Sequence, residues 1–311
     1  MKKFFTRVIL FLLPSIFTIV TILTIDPYNY FGNETNIKLL EYKTKISLPI
    51  HDQLFKLIEY KNNPHKIIIL GDSRANSTSG YVEEFLHEDV TNLCYGGSTL
   101  QEIISTFTEI KKIGVMKQVY IGINFNVYNS FYNHNSVPEA VHIKSSLLNY
   151  ITSKYVIKST FLILKALIFN EVPKIGQLRI TKEEFWRTQL DVTAKGNYTN
   201  YLYPKELYNE LKKFSIFCME NHIKLVLFIP PTHISLQNRI LDFKLEIENI
   251  KFKKDMESLG DFYDFDYLNA LTSKQSNFSD PFHFIDSISK IVANEIISGK
   301  IVYARRINVP N

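Results

Sequence analysis

Two short stretches of the chain carry the residue types that serine acyl chemistry requires. Gly71-Asp72-Ser73 holds a hydroxyl, and Asp280-Pro281-Phe282-His283 holds a carboxylate and an imidazole. A serine hydroxyl attacks an ester only when a base removes its proton, and His283 would be that base. Asp280 would orient the imidazole and stabilise its charged form. The sequence therefore predicts a catalytic triad of Ser73, His283 and Asp280.

Two further stretches would supply hydrogen-bond donors to the negative oxygen of a tetrahedral intermediate. They are Asn92-Leu93-Cys94-Tyr95-Gly96-Gly97 and Gly122-Ile123-Asn124. A backbone N–H of serine or glycine and a side-chain amide of asparagine are donors of the kind that such an oxyanion hole uses. Each such donor is worth about 3 kcal/mol of activation barrier. Glycine suits position 97 because a side chain there could block the approach of substrate.

The serine lies where an open α/β sheet binds ligands. Ile67–Leu70 is a run of four apolar residues, three of them β-branched, which is typical of a strand buried on both faces. Gly71 permits a sharp turn after this strand. A helix that begins at the turn presents free N–H groups, which stabilise negative charge. Ser73 is therefore expected at the carboxyl end of a buried strand, beside a helix N-terminus.

Predicted strands and helices alternate after residue 66. Apolar runs and turn signals indicate, after the first strand, a helix near 81–87, a short strand before Asn92, a helix at 100–113, and strands at 118–124, 224–229 and 262–265. Such alternation indicates βαβ units and a parallel sheet. We therefore predict one α/β domain over residues 66–311.

The N-terminal region indicates a membrane anchor. Val8–Ile25 contains no charged residue, and only Pro14 and a few Ser and Thr residues interrupt its apolar run. Eighteen residues are about enough to span a bilayer. Lys2, Lys3 and Arg7 precede this run, so the positive-inside rule places the N-terminus in the cytoplasm and the rest of the chain outside. A cleaved signal peptide is the alternative, although no small-x-small site follows the run. We predict a single-pass anchor over residues 1–25.

Two other segments lie outside the predicted strand and helix alternation. Residues 26–65 are expected to form a stalk or linker with a short helix around His51–Tyr60. Residues from about 125 to 203 are expected to form a helical insertion, which includes a long helical pattern over Ser145–Phe169. The insertion could be a lid, a helix lying on a membrane, a partner surface or an extra helical layer of the core.

Composition excludes several classes of function. The 311 residues carry a net charge of +5, three units of which come from the basic N-terminal flank, so nucleic-acid binding is not indicated. The two cysteines, Cys94 and Cys218, have no metal-ligand spacing and are expected to be small buried side chains. We expect neither a metal nor an organic cofactor.

The four stretches, in this order, resemble the SGNH (GDSL) hydrolase superfamily. Gly71-Asp72-Ser73 resembles block I, the stretch ending at Gly97 resembles block II, Gly122-Ile123-Asn124 resembles block III, and Asp280-Pro281-Phe282-His283 resembles block V. The resemblance spans most of residues 66–298. It implies a three-layer α/β/α fold with a flavodoxin-like parallel sheet. It also implies an oxyanion hole formed by the backbone N–H groups of Ser73 and Gly97 and the side-chain amide of Asn124. Two departures are Phe125, where block III continues with aspartate, and the Cys94-Tyr95 pair in block II.

With these two departures, the chain resembles the membrane-anchored members of the superfamily, which acylate or deacylate cell-envelope polymers. The resemblance then implies O-acyl transfer, most simply acetyl, onto a cell-surface polysaccharide through an acyl-enzyme on Ser73. Such anchored proteins often act beside a membrane-bound O-acyltransferase. The alternatives are an esterase of the same polymers, a protein of D-alanyl transfer to teichoic acid, and a non-catalytic carbohydrate-binding or assembly scaffold.

Two more residues are candidates for substrate binding. Arg74 follows the nucleophile and could hold an anionic or sugar group, although an ion pair on the helix is an equal alternative. His233 follows Pro230-Pro231-Thr232 at a strand end, so it would face the same edge of the sheet as the triad. A solvated loop histidine is the alternative there. Trp186 could stack on a sugar or pack in the protein interior.

Overall fold

The computed structural model describes residues 1–33, 35–172 and 180–305, and for residues 2, 5, 6, 8 and 9 it describes the backbone alone. The chain divides into two compact units. A helical unit comprises Met1–Pro64 and Ser136–Leu178, and a sheet unit comprises His65–Asn135 and Arg179–Asn311. The predicted stalk contains two of the helices of the helical unit, and the predicted insertion is divided between both units.

Five parallel strands form the sheet, which confirms the predicted α/β class with a parallel sheet. In chain order they are β1 (Ile67–Gly71), β2 (Val90–Cys94), β3 (Gln118–Gly122), β4 (Lys224–Ile229) and β5 (Asp261–Asp264). The spatial order is β2-β1-β3-β4-β5. After β1 the chain continues to β2 on one side of the sheet, and after β3 it continues to β4 on the other side. A crevice therefore opens at the carboxyl ends of β1 and β3.

Fourteen α-helices occur in the described residues. They are α1 (Lys2–Ile25), α2 (Ile37–Ile50), α3 (Asp52–Asn62), α4 (Ser73–Leu86), α5 (Leu100–Ile110), α6 (Val137–Lys144), α7 (Leu147–Thr152), α8 (Lys154–Phe169), α9 (Lys182–Thr188), α10 (Lys195–Thr199), α11 (Lys205–Glu220), α12 (Ile234–Asp242), α13 (Glu246–Glu257) and α14 (Asp286–Ser298). A π-helix over Gln189–Ala194 joins α9 to α10, and a short 3₁₀ turn covers Gln275–Asn277.

The buried core of the sheet unit forms because the strands are apolar on both faces. Every residue of β1 is buried, and helices α4 and α14 pack against each other, as do α5 and α11. Gly71 is required where β1 meets α4. Its φ is +150°, and a Cβ atom there would lie 2.5 Å from the Cβ of Ala75 and 2.6 Å from the carbonyl oxygen of Gly122. A larger residue would therefore push α4 away from the strand ends.

The helical unit has its own core, formed by Ile25, Tyr42, Ile46, Ile163 and Ala166. The long helical pattern predicted over Ser145–Phe169 is divided into separate helices in the structure. The reason is local, because Ser146 caps α7 and Ser153 caps α8, and a capping side chain satisfies N–H groups that start a new helix.

The first helix, α1, covers the segment predicted as an anchor. Across residues 1–33, 35–172 and 180–305, no helix is at once long and apolar enough to pass through a bilayer.

A buried carboxylate closes the helical unit where α1 ends. Asp26 accepts hydrogen bonds from the backbone N–H groups of Tyr30 (2.8 Å) and Phe31 and from the hydroxyl of Tyr150 (2.7 Å). The Tyr150 oxygen in turn accepts the Tyr28 N–H at 3.1 Å, and Ser159 donates to the Tyr28 hydroxyl at 3.2 Å. This chain of hydrogen bonds joins α1 to α7 and α8.

Candidate active site

Three side chains from distant parts of the sequence form one hydrogen-bonded chain in the sheet unit. The Ser73 Oγ lies 2.7 Å from Nε2 of His283, and Nδ1 of His283 lies 2.8 Å from Oδ2 of Asp280. In the neutral tautomer of His283 that carries its proton on Nδ1, this proton faces the Asp280 carboxylate, and the unprotonated Nε2 faces the serine hydroxyl. The predicted triad residues are thus brought together, with the serine and the histidine 210 positions apart along the chain.

Ser73 is the first residue of α4, directly after β1. Asp72 caps the helix, because its carboxylate accepts the Arg74 N–H at 2.9 Å. The first N–H groups of an α-helix have no partner within the helix, so the Ser73 N–H is directed out of its N-terminus. The turn therefore presents a hydroxyl and a helix N-terminal N–H at the same residue, and the role of this N–H in an oxyanion hole stays a prediction.

Asp280 and His283 lie on a tight loop between the 3₁₀ turn and α14. The Asp280 Oδ1 accepts the backbone N–H groups of Phe282 (2.8 Å) and His283 (3.1 Å), and Phe278 pairs with Phe284 across the base of the loop. The carboxylate is buried, whereas the imidazole is 40% exposed. The loop consequently fixes the acid and leaves the base open to a substrate.

Gly97 lies beside the triad with a left-handed backbone, φ +66°. A Cβ atom at this position would meet no neighbour within 4 Å, so the requirement for glycine comes from the backbone conformation. Gly97 lines the same cavity as Ser73 and His283. The preceding Cys94 and Tyr95, which depart from block II, are buried side chains of the protein interior.

Asn124 is placed differently from the sequence prediction. Its side chain is only 1% exposed, and its Nδ2 donates to the carbonyl oxygen of Pro230 at 2.7 Å. It does not line the cavity that contains Ser73. The adjacent Phe125 is also buried and stacks on Tyr201, with ring centroids 4.7 Å apart. Both side chains are therefore part of the protein interior just after β3. Phe125 occupies the position at which the resemblance to block III implies an aspartate.

Arg74 lies at the cavity but is engaged by the protein. Its Nε donates to Oδ2 of Asp72 at 2.9 Å, its Nη2 contacts the same carboxylate, and Nη2 also donates to Oδ1 of Asn126 at 3.0 Å. The guanidinium lies 5.8 Å from the ring centroid of Phe282. With 2% of its surface exposed, Arg74 forms the ion pair that was the alternative to substrate binding.

His233 does not line the cavity around Ser73. It caps α12 through Nδ1, and its ring contacts Trp186, with centroids 5.0 Å apart. Its backbone N–H donates to the carbonyl oxygen of Pro281 at 3.0 Å, so it supports the loop that carries the triad acid and base. Burial lowers the pKa of His233, which keeps its ring neutral near neutral pH. The contact with the His233 ring makes Trp186 a packing residue, which was one of its two predicted roles.

The cavity beside the triad has a volume of about 290 Å³. Its lining includes a polar row that the sequence analysis missed, formed by Gln189, Thr193 and Asn197 at intervals of four residues. These side chains come from the continuous α9, π-helix and α10 segment, and π-helical turns often occur at functional sites. The spacing of four was a visible signal, but a polar helical stripe normally indicates a solvated face.

Metal ligands do not converge in the part of the chain that the structure describes, where no three His, Cys, Asp or Glu side chains are arranged to hold an ion. Cys94 and Cys218 are both buried, and neither forms a disulfide. Burial raises the pKa of Cys218 to about 12, so it is an inert thiol near neutral pH. The reactive groups at the cavity are therefore those of the triad.

Comparison with known proteins gave matches among solved structures alone, since no family model and no curated protein matched the chain. One similar structure is a provisionally assigned acylhydrolase from Bacteroides fragilis (12% identity, 76% of this chain, 87% of that chain, TM-score 0.40). A second is a provisionally assigned lipolytic protein of the G-D-S-L family from Desulfitobacterium hafniense (14% identity, 76% of this chain, 99% of that chain, TM-score 0.38). A third, provisionally described as a platelet activating factor, is from Streptococcus pneumonia (11% identity, 85% of this chain, 96% of that chain, TM-score 0.39).

Proposed function

We propose that the protein is a serine-dependent O-acyltransferase that moves an acyl group, most simply acetyl, onto a hydroxyl of a cell-surface polysaccharide. The observation that carries the proposal is the hydrogen-bonded chain from Asp280 through His283 to Ser73, which opens onto a cavity. A hydroxyl held at 2.7 Å from an unprotonated imidazole nitrogen is ready to transfer its proton. The resemblance to SGNH hydrolases in four separated stretches supports the same reaction class.

The reaction proceeds in two half-reactions. His283 Nε2 takes the Ser73 proton while Oγ attacks the carbonyl carbon of the donor, and the carbonyl electron pair moves onto its oxygen. Collapse of this intermediate expels the leaving group, which receives the proton from His283, and leaves Ser73 acylated. An acceptor hydroxyl then gives its proton to His283 and attacks the acyl carbon. When this second intermediate collapses, the bond between the acyl carbon and Oγ breaks, and Oγ takes the proton back from His283, which regenerates Ser73. Asp280 stabilises the imidazolium in both steps.

The acceptor is proposed to be a sugar because the cavity wall offers amide and hydroxyl groups. Gln189, Thr193 and Asn197 can donate and accept hydrogen bonds, as recognition of a polyhydroxylated ring requires. A cavity of about 290 Å³ would admit little more than one sugar unit with its acyl group. An esterase that uses water as acceptor is the second candidate, and the exposure of His283 favours it. D-alanyl transfer to teichoic acid would use the same serine.

The cellular context is also a proposal, supported by the sequence of the first 25 residues. The uncharged run Val8–Ile25 after a basic flank would hold the chain in a membrane, with the N-terminus in the cytoplasm and the sheet unit outside. A membrane-bound O-acyltransferase would then supply acyl groups. The full chain should sediment with vesicles and resist alkaline carbonate extraction. Recovery in the soluble fraction would contradict this proposal.

Covalent labelling tests the nucleophile directly. We expect a fluorophosphonate to add one adduct to the wild-type protein, at Ser73, and Ser73→Ala to abolish both labelling and hydrolysis of p-nitrophenyl acetate, a loss of about 10⁵-fold or more in kcat. Ser77→Ala is the matched control, since Ser77 is an exposed serine on the same helix. Equal labelling of wild type and Ser73→Ala would overturn serine catalysis and favour the scaffold.

Product analysis then separates transfer from hydrolysis. The wild-type protein is incubated with p-nitrophenyl acetate and an acceptor oligosaccharide, and masses are recorded at rising acceptor concentration. A transferase gives an acylated oligosaccharide whose share of the product rises with acceptor. If free acetate is the only product at every concentration, the protein is an esterase.

A further inference from the structure

We infer that the side-chain donor of the oxyanion hole is Asn126, two residues beyond the asparagine that the sequence motif designates. The inference rests on the proposed serine chemistry and adds a catalytic residue to it. Ser73 and Gly97 supply the two backbone donors, and the amide of Asn126 supplies the third. Arg74 is a positioning residue that determines which end of that amide faces the substrate.

Asn124 has another task in the fold. Its Nδ2 is bound to the Pro230 carbonyl at 2.7 Å, which ties the end of β3 to the end of β4. Its backbone carbonyl accepts the N–H groups of Val127 (3.0 Å) and Tyr128 (3.1 Å), so it also begins the turn that follows the strand. The side chain is 1% exposed, and Asn124 is absent from the cavity lining. The N–H of this amide is therefore bound within the protein, away from the cavity that contains Ser73.

Asn126 lies in the middle of the turn that Asn124 begins. It is partly exposed and lines the cavity together with Ser73, Gly97 and His283. An amide at this wall can face the carbonyl oxygen of an ester whose carbon is attacked by Ser73. The turn thus moves the useful asparagine two positions along the chain and brings it to the surface of the crevice between β1 and β3.

The orientation of the Asn126 amide is set by its neighbour. Arg74 can only donate, and its Nη2 lies 3.0 Å from Oδ1 of Asn126, so the Nδ2 group is directed to the other side of the amide plane. Arg74 is itself held by Asp72, whose carboxylate also caps the helix that begins at Ser73. One buried ion pair therefore fixes both the nucleophile turn and the amide donor.

The added donor acts on charge that exists only in the intermediate. When Ser73 Oγ bonds to the acyl carbon, the π pair of the carbonyl moves to its oxygen, which becomes negative. Three N–H groups, from Ser73, Gly97 and Asn126, then share this charge, and they release it when the carbonyl re-forms. A donor that binds the intermediate more strongly than the ester raises kcat and leaves KM nearly unchanged.

The test compares isosteric and truncating variants at the two asparagines in the full chain, with p-nitrophenyl acetate as the probe. Asn126→Asp keeps the size of the side chain and the contact with Arg74 but has no N–H to donate. We expect Asn126→Asp and Asn126→Ala each to lower kcat by about 10²–10³-fold, with KM changed less than about threefold. Asn126→Asp, which keeps the contact with Arg74, should also keep the melting temperature of wild type. Fluorophosphonate labelling of Ser73 should slow in parallel.

Asn124→Ala is the matched control, and the opposite pattern is expected for it. Loss of the bond to Pro230 should lower the melting temperature, while kcat per folded molecule falls less than about tenfold. A kcat within about fivefold of wild type for Asn126→Ala, or a larger loss of kcat for Asn124→Ala than for Asn126→Ala, overturns the inference while the serine chemistry stands. A wild-type protein that neither turns over nor is labelled at Ser73 overturns the proposed function and this inference with it.

Discussion

Asp26 and Asp280 accept nearly the same set of hydrogen bonds, but the side chains that their aromatic partners contact next are different. In the helical unit, Asp26 accepts two backbone N–H groups and the hydroxyl of Tyr150. In the sheet unit, Asp280 accepts two backbone N–H groups and the ring N–H of His283. Each carboxylate is therefore fixed by its own loop and directs its charge at one ring.

The difference lies in the ring and in the group that the ring contacts next. Tyr150 is fully buried, and burial, with Asp26 beside it, raises its pKa well above the ordinary value, so it stays a donor. Beyond it, the Tyr150 oxygen accepts the backbone N–H of Tyr28, whose buried hydroxyl accepts a hydrogen bond from Ser159. An imidazole can accept a proton at one ring nitrogen while it donates from the other, and the chain through His283 ends on a serine at a cavity. The same way of holding a carboxylate thus serves stability in one unit and reactivity in the other.

The largest expected effect is that of Asp280→Asn on activity. The asparagine oxygen still accepts the N–H groups of Phe282 and His283, so the loop is retained. Its NH₂ group, however, faces Nδ1 and favours the imidazole tautomer that carries its proton on Nε2, which then cannot take the Ser73 proton. We expect kcat for p-nitrophenyl acetate to fall about 10⁴-fold, with a melting temperature within about 3 °C of wild type. A loss below about tenfold would show that Asp280 does not orient the base.

The same substitution at the other carboxylate should give the opposite result. Asp26 has a left-handed backbone, φ 45°, which asparagine tolerates, so Asp26→Asn changes the hydrogen bonding alone. Its NH₂ group would face donors, and the free energy of unfolding should fall by about 3 kcal/mol. Urea denaturation measures this, and kcat of the folded protein should be unchanged. A stability equal to wild type would mean that the Asp26 contacts add nothing to the fold.

Tyr150→Phe is the mildest of the three changes. It removes one donor from Asp26 and leaves the Tyr28 N–H without its acceptor, while the ring keeps its packing on Tyr30, with centroids 4.6 Å apart. We expect a loss of about 1.5 kcal/mol of unfolding free energy in urea and no change in Ser73 labelling. Combined with Asp26→Asn, the losses should be less than additive, because both changes break one network. Full additivity would mean that the network does not act as a unit.

The sheet was readable from the sequence because its strands are short apolar runs ended by glycine or proline. The runs after Lys66, at Gln118 and at Lys224 correspond to β1, β3 and β4. Helix α4 was predicted too short, starting near 81 rather than at Ser73, because its first turns contain Asn, Ser, Thr and Gly, which have weak helix propensity. Capping by Asp72 and packing on the strand ends override that propensity.

The candidate site was readable in part. Ser73, Asp280 and His283 were found because each belongs to a local motif with a distinct chemistry. The task of Asn124 was not readable, because the partner of its amide is a carbonyl 106 positions away. Arg74 and His233 likewise look available in sequence, and only the packed structure shows that Asp72 and the triad loop engage them. Contacts of this range are set by tertiary packing, which local patterns do not encode.

The hydroxyl and the imidazole lie 210 positions apart, and strands β2 to β5 all lie between them in the chain. A ribosome therefore makes the nucleophile early and its base late. Throughout that interval the nascent chain contains Ser73 without His283, so the serine hydroxyl has no base that would activate it for attack on an ester. Competence for the reaction is conferred at a single late step, when the loop before α14 docks beside the start of α4, and premature termination would yield an inert product.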